Sequence, residues 1–125
     1  MRNENILNIS RLFKIASENY IIELSNIHGQ GTFAKHDFGA NQEIQLALKF
    51  DKESHDVITF IRTSFAKKVN HEIPANMYLK KIGMDFYFCA ARFISSGEEL
   101  TTDYNKYKEI IKRESLAFGK AIKVL

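Results

Sequence analysis

From residue 20 onward the apolar residues of this chain come in short runs, rich in β-branched and aromatic side chains and broken by turn formers. The runs at 20–24, 32–35, 43–50, 76–82 and 86–94 predict strands. So many short strands in 125 residues leave room for one β-rich core and no second domain. Ten Phe and five Tyr supply the apolar bulk to close that core without disulfides. The single cysteine, Cys89, can form no intrachain bridge and excludes a Cys-rich zinc cluster; flanked by Phe88 and Ala90, it reads as a small buried hydrophobe.

Two segments carry helical spacing instead. Within 56–69, Val57, Phe60, Ile61 and Phe65 recur at helix period, with Asp56 placed to cap the start. After Asp103, the residues Tyr104, Tyr107, Ile111, Phe118, Ile122 and Leu125 fall largely on one stripe with lysines opposite. This predicts a C-terminal helix over 105–125 packed on the β core. Residues 1–19 form a mixed lead-in whose Ile6, Ile9, Leu12, Phe13 and Ile15 suit a short helix or an arm lying on the domain. Arg2, Glu4, Arg11 and Lys14 interrupt its apolar residues, so neither a signal peptide nor a bilayer span is expected. The expectation is an intracellular, soluble protein, cytoplasmic by default, with no membrane partner.

The net charge of +3 and pI of about 9.0 arise late in the chain, where six lysines and arginines stand against Glu109 and Glu114. That balance supports weak attraction to anionic partners and no more. Phe and Tyr alternate with core positions rather than forming a stacking platform, so nucleic acid is not the expected partner. His28, His36, His55 and His71 match no common ligand spacing, and no metal is expected.

Three stretches carry chemistry. In Ile27-His28-Gly29-Gln30-Gly31-Thr32-Phe33-Ala34 the glycines permit a left-handed turn and close backbone approach to a ligand. Taken singly this matches neither dinucleotide nor phosphate fingerprints, and a plain turn accounts for it. In Val69-Asn70-His71-Glu72-Ile73-Pro74-Ala75-Asn76 the asparagine amides both donate and accept, which suits a polar small molecule, although an ordinary loop with Asx turns would look the same. The third, Ser95-Ser96-Gly97-Glu98-Glu99-Leu100-Thr101-Thr102-Asp103-Tyr104, is a turn and a short segment ending on a tyrosine able to point into a site.

In this order the stretches resemble the Gly-x-Gly, Asn-His-x-x-x-x-Asn and Gly-Glu-Glu-Leu-Thr-x-Asp-Tyr motifs of the SET domain. The last is the most specific. The resemblance covers about 20–107 of a single domain spanning 1–125. It implies a mainly β fold with some helix: a β-clip of short sheets in which the Asn-His and terminal segments cross in a pseudoknot, with a short internal helix and a C-terminal helix. It also implies S-adenosylmethionine-dependent transfer of a methyl group to a protein lysine.

By that resemblance the backbone of His28, Gly29, Gln30 and Gly31 lines the cofactor pocket. Asn70 holds the methionine end, His71 meets the adenine side, and Tyr104 is the catalytic tyrosine beside the cofactor. Thr102, Tyr107 and Phe118 are the candidate walls of a lysine channel. Several features depart from the family. Thr102 stands where many members have Tyr or Phe, so the number of methyl groups transferred is unreadable. Glu72-Ile73-Pro74-Ala75 replaces the usual Ser-Cys-Asp-Pro. The zinc-binding cysteine segments that flank many members are absent, so the C-terminal helix or a second copy of the chain must cover the channel, and a homodimer is expected. The same departures leave open a catalytically silent SET fold serving as an interaction or dimerisation module.

Overall fold

In chain order the described residues, 18–125 of the computed structural model, form β1 (Tyr20–Leu24), β2 (Gln30–Ala34), β3 (Glu43–Glu53), β4 (Val57–Arg62), α1 (Ser64–Lys68), β5 (Asn70–His71), β6 (Met77–Ile82), β7 (Asp85–Ala90), β8 (Glu99–Thr102), α2 (Tyr104–Phe118) and β9 (Ala121–Val124). The lead-in residues Ile6, Ile9, Leu12, Phe13 and Ile15 lie outside the described residues. The strands make two sheets, one ordered β1-β2-β8-β5 and the other β6-β7-β3-β4-β9. This is the mainly β architecture expected from the short runs.

Alternation explains most of the larger sheet. In β7, Phe86 and Phe88 point to one side and are buried, meeting Phe60 of β4 and Phe65 of α1 edge to face at centroid distances of 5.5 and 6.0 Å. Leu48 from the central strand β3 and Ile58 from β4 complete this core. The tight β6–β7 connection is made by Gly83 at φ 64°, a conformation that costs glycine no steric clash.

Two expectations are corrected. The segment 56–69 is not one helix capped by Asp56. Val57–Arg62 is a strand antiparallel to β3, and only Ser64–Lys68 is helical, capped by Thr63. The run Val57-Ile58-Thr59-Phe60-Ile61 is β-branched and aromatic throughout, so its side chains fit the pleated face better than the crowded turns of a helix. The C-terminal helix also stops early. Gly119 adopts φ 63°, its N–H reaches Leu116 O, and the Lys120 N–H reaches Ser115 O, the paired bonds of a Schellman cap. The chain then leaves as β9, parallel to β4, where Ile122 and Val124 pack toward the core.

The smaller sheet brings distant segments together. β5 lies parallel to β8, with Asn70 opposite Thr101 and His71 opposite Thr102. Asn76 secures the crossing: its Nδ2 donates to Glu99 O at 2.7 Å and its Oδ1 accepts the Thr101 N–H at 2.8 Å. At 4% exposure, this side chain acts as a short piece of strand backbone for β8.

Candidate active site

The glycine turn between β1 and β2 is shaped by a serine. Ser25 Oγ accepts the backbone N–H groups of Ile27 and His28 and donates to the Glu99 carboxylate, at 2.7 Å from Oε1 and 2.9 Å from Oε2. Gly29 follows at φ 46°, where any other residue would be strained, and open space surrounds the position a Cβ would take. Gly31 is constrained differently. A Cβ there would overlap the Glu99 carboxylate, 2.9 Å from its Cδ, and sit 3.1 Å from Asn70 Nδ2. The second glycine therefore lets Asn70 and Glu99 approach the β2 backbone.

Asn70, at the start of β5, closes this arrangement. Its Nδ2 lies 3.0 Å from His28 O, 3.1 Å from Gln30 O and 2.9 Å from Glu99 Oε2. Its two amide hydrogens are thus shared among three acceptors. Among the described residues no donor reaches Asn70 Oδ1, which remains an available acceptor beside the glycine turn. His28 and Gln30 take part through their carbonyls, while the Gln30 side chain accepts from Lys68 Nζ at 3.1 Å.

The ladder between β5 and β8 delivers Tyr104 to the neighbourhood of Asn70. Asp103 caps α2, accepting the N–H groups of Asn105 and Lys106. The Tyr104 N–H donates to His71 Nδ1 at 3.0 Å, which makes Nδ1 the accepting nitrogen and leaves Nε2–H without a partner among the described residues. The two rings lie 4.9 Å apart, and the Tyr104 hydroxyl donates to Val69 O at 3.0 Å. Tyr104 as a whole stays 45% exposed. A phenol that donates its proton to a carbonyl keeps its oxygen lone pairs for other contacts.

Next to this group a cleft of about 280 Å³ is walled by Ile73, Tyr78, Thr102, Asp103, Lys106 and Tyr107. Tyr104 is not one of its walls. It lines a neighbouring hollow with Arg62, Ala66 and Lys108, and Tyr107 is common to both. Burial pushes the Tyr107 hydroxyl above the ordinary tyrosine range, opposed by the positive charge of Arg62. That hydroxyl has no partner among the described residues.

The structure thus brings together His28, Gly29, Gln30, Gly31, Asn70, His71 and Tyr104, and it sets Thr102 and Tyr107 in the adjoining cleft. Phe118 does not join them. It stands at the far end of α2 with the Lys81 ammonium 4.6 Å from its ring centroid, because the thirteen residues separating it from Tyr104 carry it along the length of the helix. Ser25, Glu99, Tyr78 and Lys106 are the residues that sequence reasoning missed. Glu99 sat inside a recognised motif, but nothing in its neighbours reveals that its carboxylate meets Ser25 and Asn70.

Comparison with solved structures gives 68 matching chains, including the following two. A Plasmodium falciparum protein assigned as a histone methyltransferase superposes with a TM-score of 0.54 over 69% of this chain and 92% of its own, at 15% identity. The SET domain of the RIZ1 tumour suppressor superposes with a TM-score of 0.53 over 83% of this chain and 86% of its own, at 12% identity. The chain has the SET-domain fold. No protein-family model and no curated protein sequence matches it. At these identities the likeness shows the fold alone, and activity depends on the chemistry of the site itself. Among the described residues no group of three His, Cys, Asp or Glu side chains is placed to hold a metal ion, and no helix is long and apolar enough to cross a membrane.

Proposed function

We propose that this SET-fold chain is an S-adenosylmethionine-dependent protein-lysine N-methyltransferase. The observation that carries the reading is the open acceptor of Asn70, held beside the Gly29 turn and within the same β5–β8 crossing that orients Tyr104. The residues fit the cofactor. Asn70 Oδ1 suits the ammonium of its methionine end, Gly29 leaves room for close approach, and the unpartnered Nε2–H of His71 offers a donor on the adenine side. S-Adenosylmethionine, when bound, supplies a methyl group activated on a sulfonium.

The chain's own residues then have a defined task. A lysine stem is apolar, and the Tyr78, Tyr107 and Ile73 walls of the cleft suit it. The target amine must be neutral and aimed, so the cleft works by excluding water and restricting orientation. Tyr104, its proton held by Val69 O, offers lone pairs to the amine or to the departing methyl rather than acting as a base.

A second reading, a catalytically silent SET fold that serves as an interaction module, is favoured by the position of Tyr104 outside the cleft. Titration calorimetry with S-adenosylmethionine and S-adenosylhomocysteine, followed by turnover on lysine peptides, separates the two. Tyr104→Phe is expected to keep cofactor affinity within about twofold and to lower turnover by about 100-fold or more. Asn70→Ala is expected to weaken cofactor binding itself by about tenfold or more. Equal loss of binding in both variants overturns the role assignment, and binding without turnover on any lysine peptide selects the silent module.

A further inference from the structure

The Glu99 carboxylate reaches into the base of the glycine turn, and neither the expected chemistry nor the fold assigns it a task. Its Oε1 accepts from Ser25 Oγ, and its Oε2 lies 2.9 Å from both Ser25 Oγ and Asn70 Nδ2. Both demands are for an acceptor. Ser25 Oγ already accepts two backbone N–H groups, from Ile27 at 2.9 Å and His28 at 3.3 Å, so its lone pairs are taken and its hydroxyl proton must be donated. Asn70 Nδ2 faces His28 O and Gln30 O as well, and can likewise only donate. A carboxylate is the side chain that accepts at both oxygens.

We infer that Glu99 is a positioning residue that sets the orientation of the Asn70 amide, turning its Nδ2 inward and its Oδ1 toward the site as the acceptor for a cationic amine; this rests on the methyltransferase reading for the identity of that amine. The opposite orientation would press the amide oxygen against three other acceptors. A neutral amide in place of the carboxylate would undo the arrangement. A glutamine oxygen at the Oε2 place could serve both Ser25 and Asn70 only by pressing its NH₂ on Ser25 Oγ, which lies 2.7 Å from the Oε1 place and already accepts two N–H groups, while the other orientation sets its NH₂ against Asn70 Nδ2, donor against donor. Asn70 could then relieve the conflict only by turning Oδ1 inward, which removes the acceptor from the site. Gly31 belongs to the same device, because a side chain there would displace the Glu99 carboxylate.

The test combines two measurements on the full chain. Titration with S-adenosylhomocysteine compares the wild type with Glu99→Gln, and ¹⁵N NMR follows solvent exchange of the Asn70 side-chain amide protons, with those of exposed Asn105 as the free reference. In the wild type the Asn70 protons should exchange at least about tenfold more slowly than those of Asn105; equal rates overturn the inference, and this arm needs no variant to fold. Glu99→Gln should bring the Asn70 rate toward that of Asn105 and weaken S-adenosylhomocysteine by about tenfold or more. Unchanged affinity, or lost affinity with Asn70 still protected, overturns it. If the wild type binds no S-adenosylhomocysteine, the methyltransferase reading fails, while the exchange rates still decide whether Glu99 orients Asn70.

Discussion

Along β3, β4 and β7 the side chains that meet are Leu48, Phe60, Phe86 and Phe88, packed edge to face with no polar partner to satisfy. Along β5 and β8, with Asn76 just before β6, they are Asn70, Asn76, Glu99 and Thr101, bound to each other and to backbone at 2.7 to 3.3 Å. The five-stranded sheet is therefore held by area removed from water, which tolerates small displacements. The four-stranded sheet is held by directional bonds between groups that would be costly to bury alone. Stability resides mainly in the first and the geometry of the candidate site in the second. The two asparagines of one motif repeat the contrast at small scale: Asn76 spends both ends of its amide on β8, whereas Asn70 keeps its oxygen open.

Truncations should separate the two sheets. Phe88→Ala, at 1% exposure and against Phe65, should cost about 3–5 kcal/mol in urea unfolding. A loss under about 1 kcal/mol would mean that the large sheet is not the main source of stability. Asn76→Ala leaves Glu99 O and the Thr101 N–H without their partner and should cost about 2 kcal/mol. Because β8 carries Glu99 and leads into Tyr104, the same variant should also weaken S-adenosylhomocysteine binding, measured well below its unfolding temperature. Loss of stability with binding intact would break the link between the crossing and the site.

The smallest effect is expected at the entry to β8. The Arg92 guanidinium, 3.0 Å from Glu98 Oε1, and the Ser95 N–H hold the Glu98 carboxyl below the usual glutamate range. A carboxyl whose pKa is lowered by folding stabilises the native state above its unfolded pKa, about 4.3, and that contribution is lost as pH falls through the lower folded value. Glu98→Gln should thus cost less than about 1 kcal/mol at neutral pH and make stability less dependent on pH below about 4. Identical acid profiles for variant and wild type would remove Glu98 from this account.

Strands β1, β2, β3, β6 and β7 were legible because each carries its own alternation and is bounded by its own turn residues. β5, β8 and β9 were not, since strands of two or four residues carry too little pattern to be told from loop. β4 was misread because Val57, Phe60, Ile61 and Phe65 satisfy helical spacing by coincidence, and only pairing with β3 and β9 decides the outcome. The same division holds at the site. Gly29, Asn70 and Tyr104 announced themselves through motifs, while Ser25 and Glu99 act as partners 74 residues apart in the chain.

By itself the sequence determined the β-rich class, the order of three motifs and the residue types at the candidate site, because these follow from local patterning and short-range chemistry. The tertiary structure alone decided that β5 runs beside β8, that α2 ends at Phe118 and leaves that ring far from Tyr104, and that the Glu99 carboxylate meets the Asn70 amide. Those are outcomes of long-range pairing, in which each partner's role exists only once the other is in place.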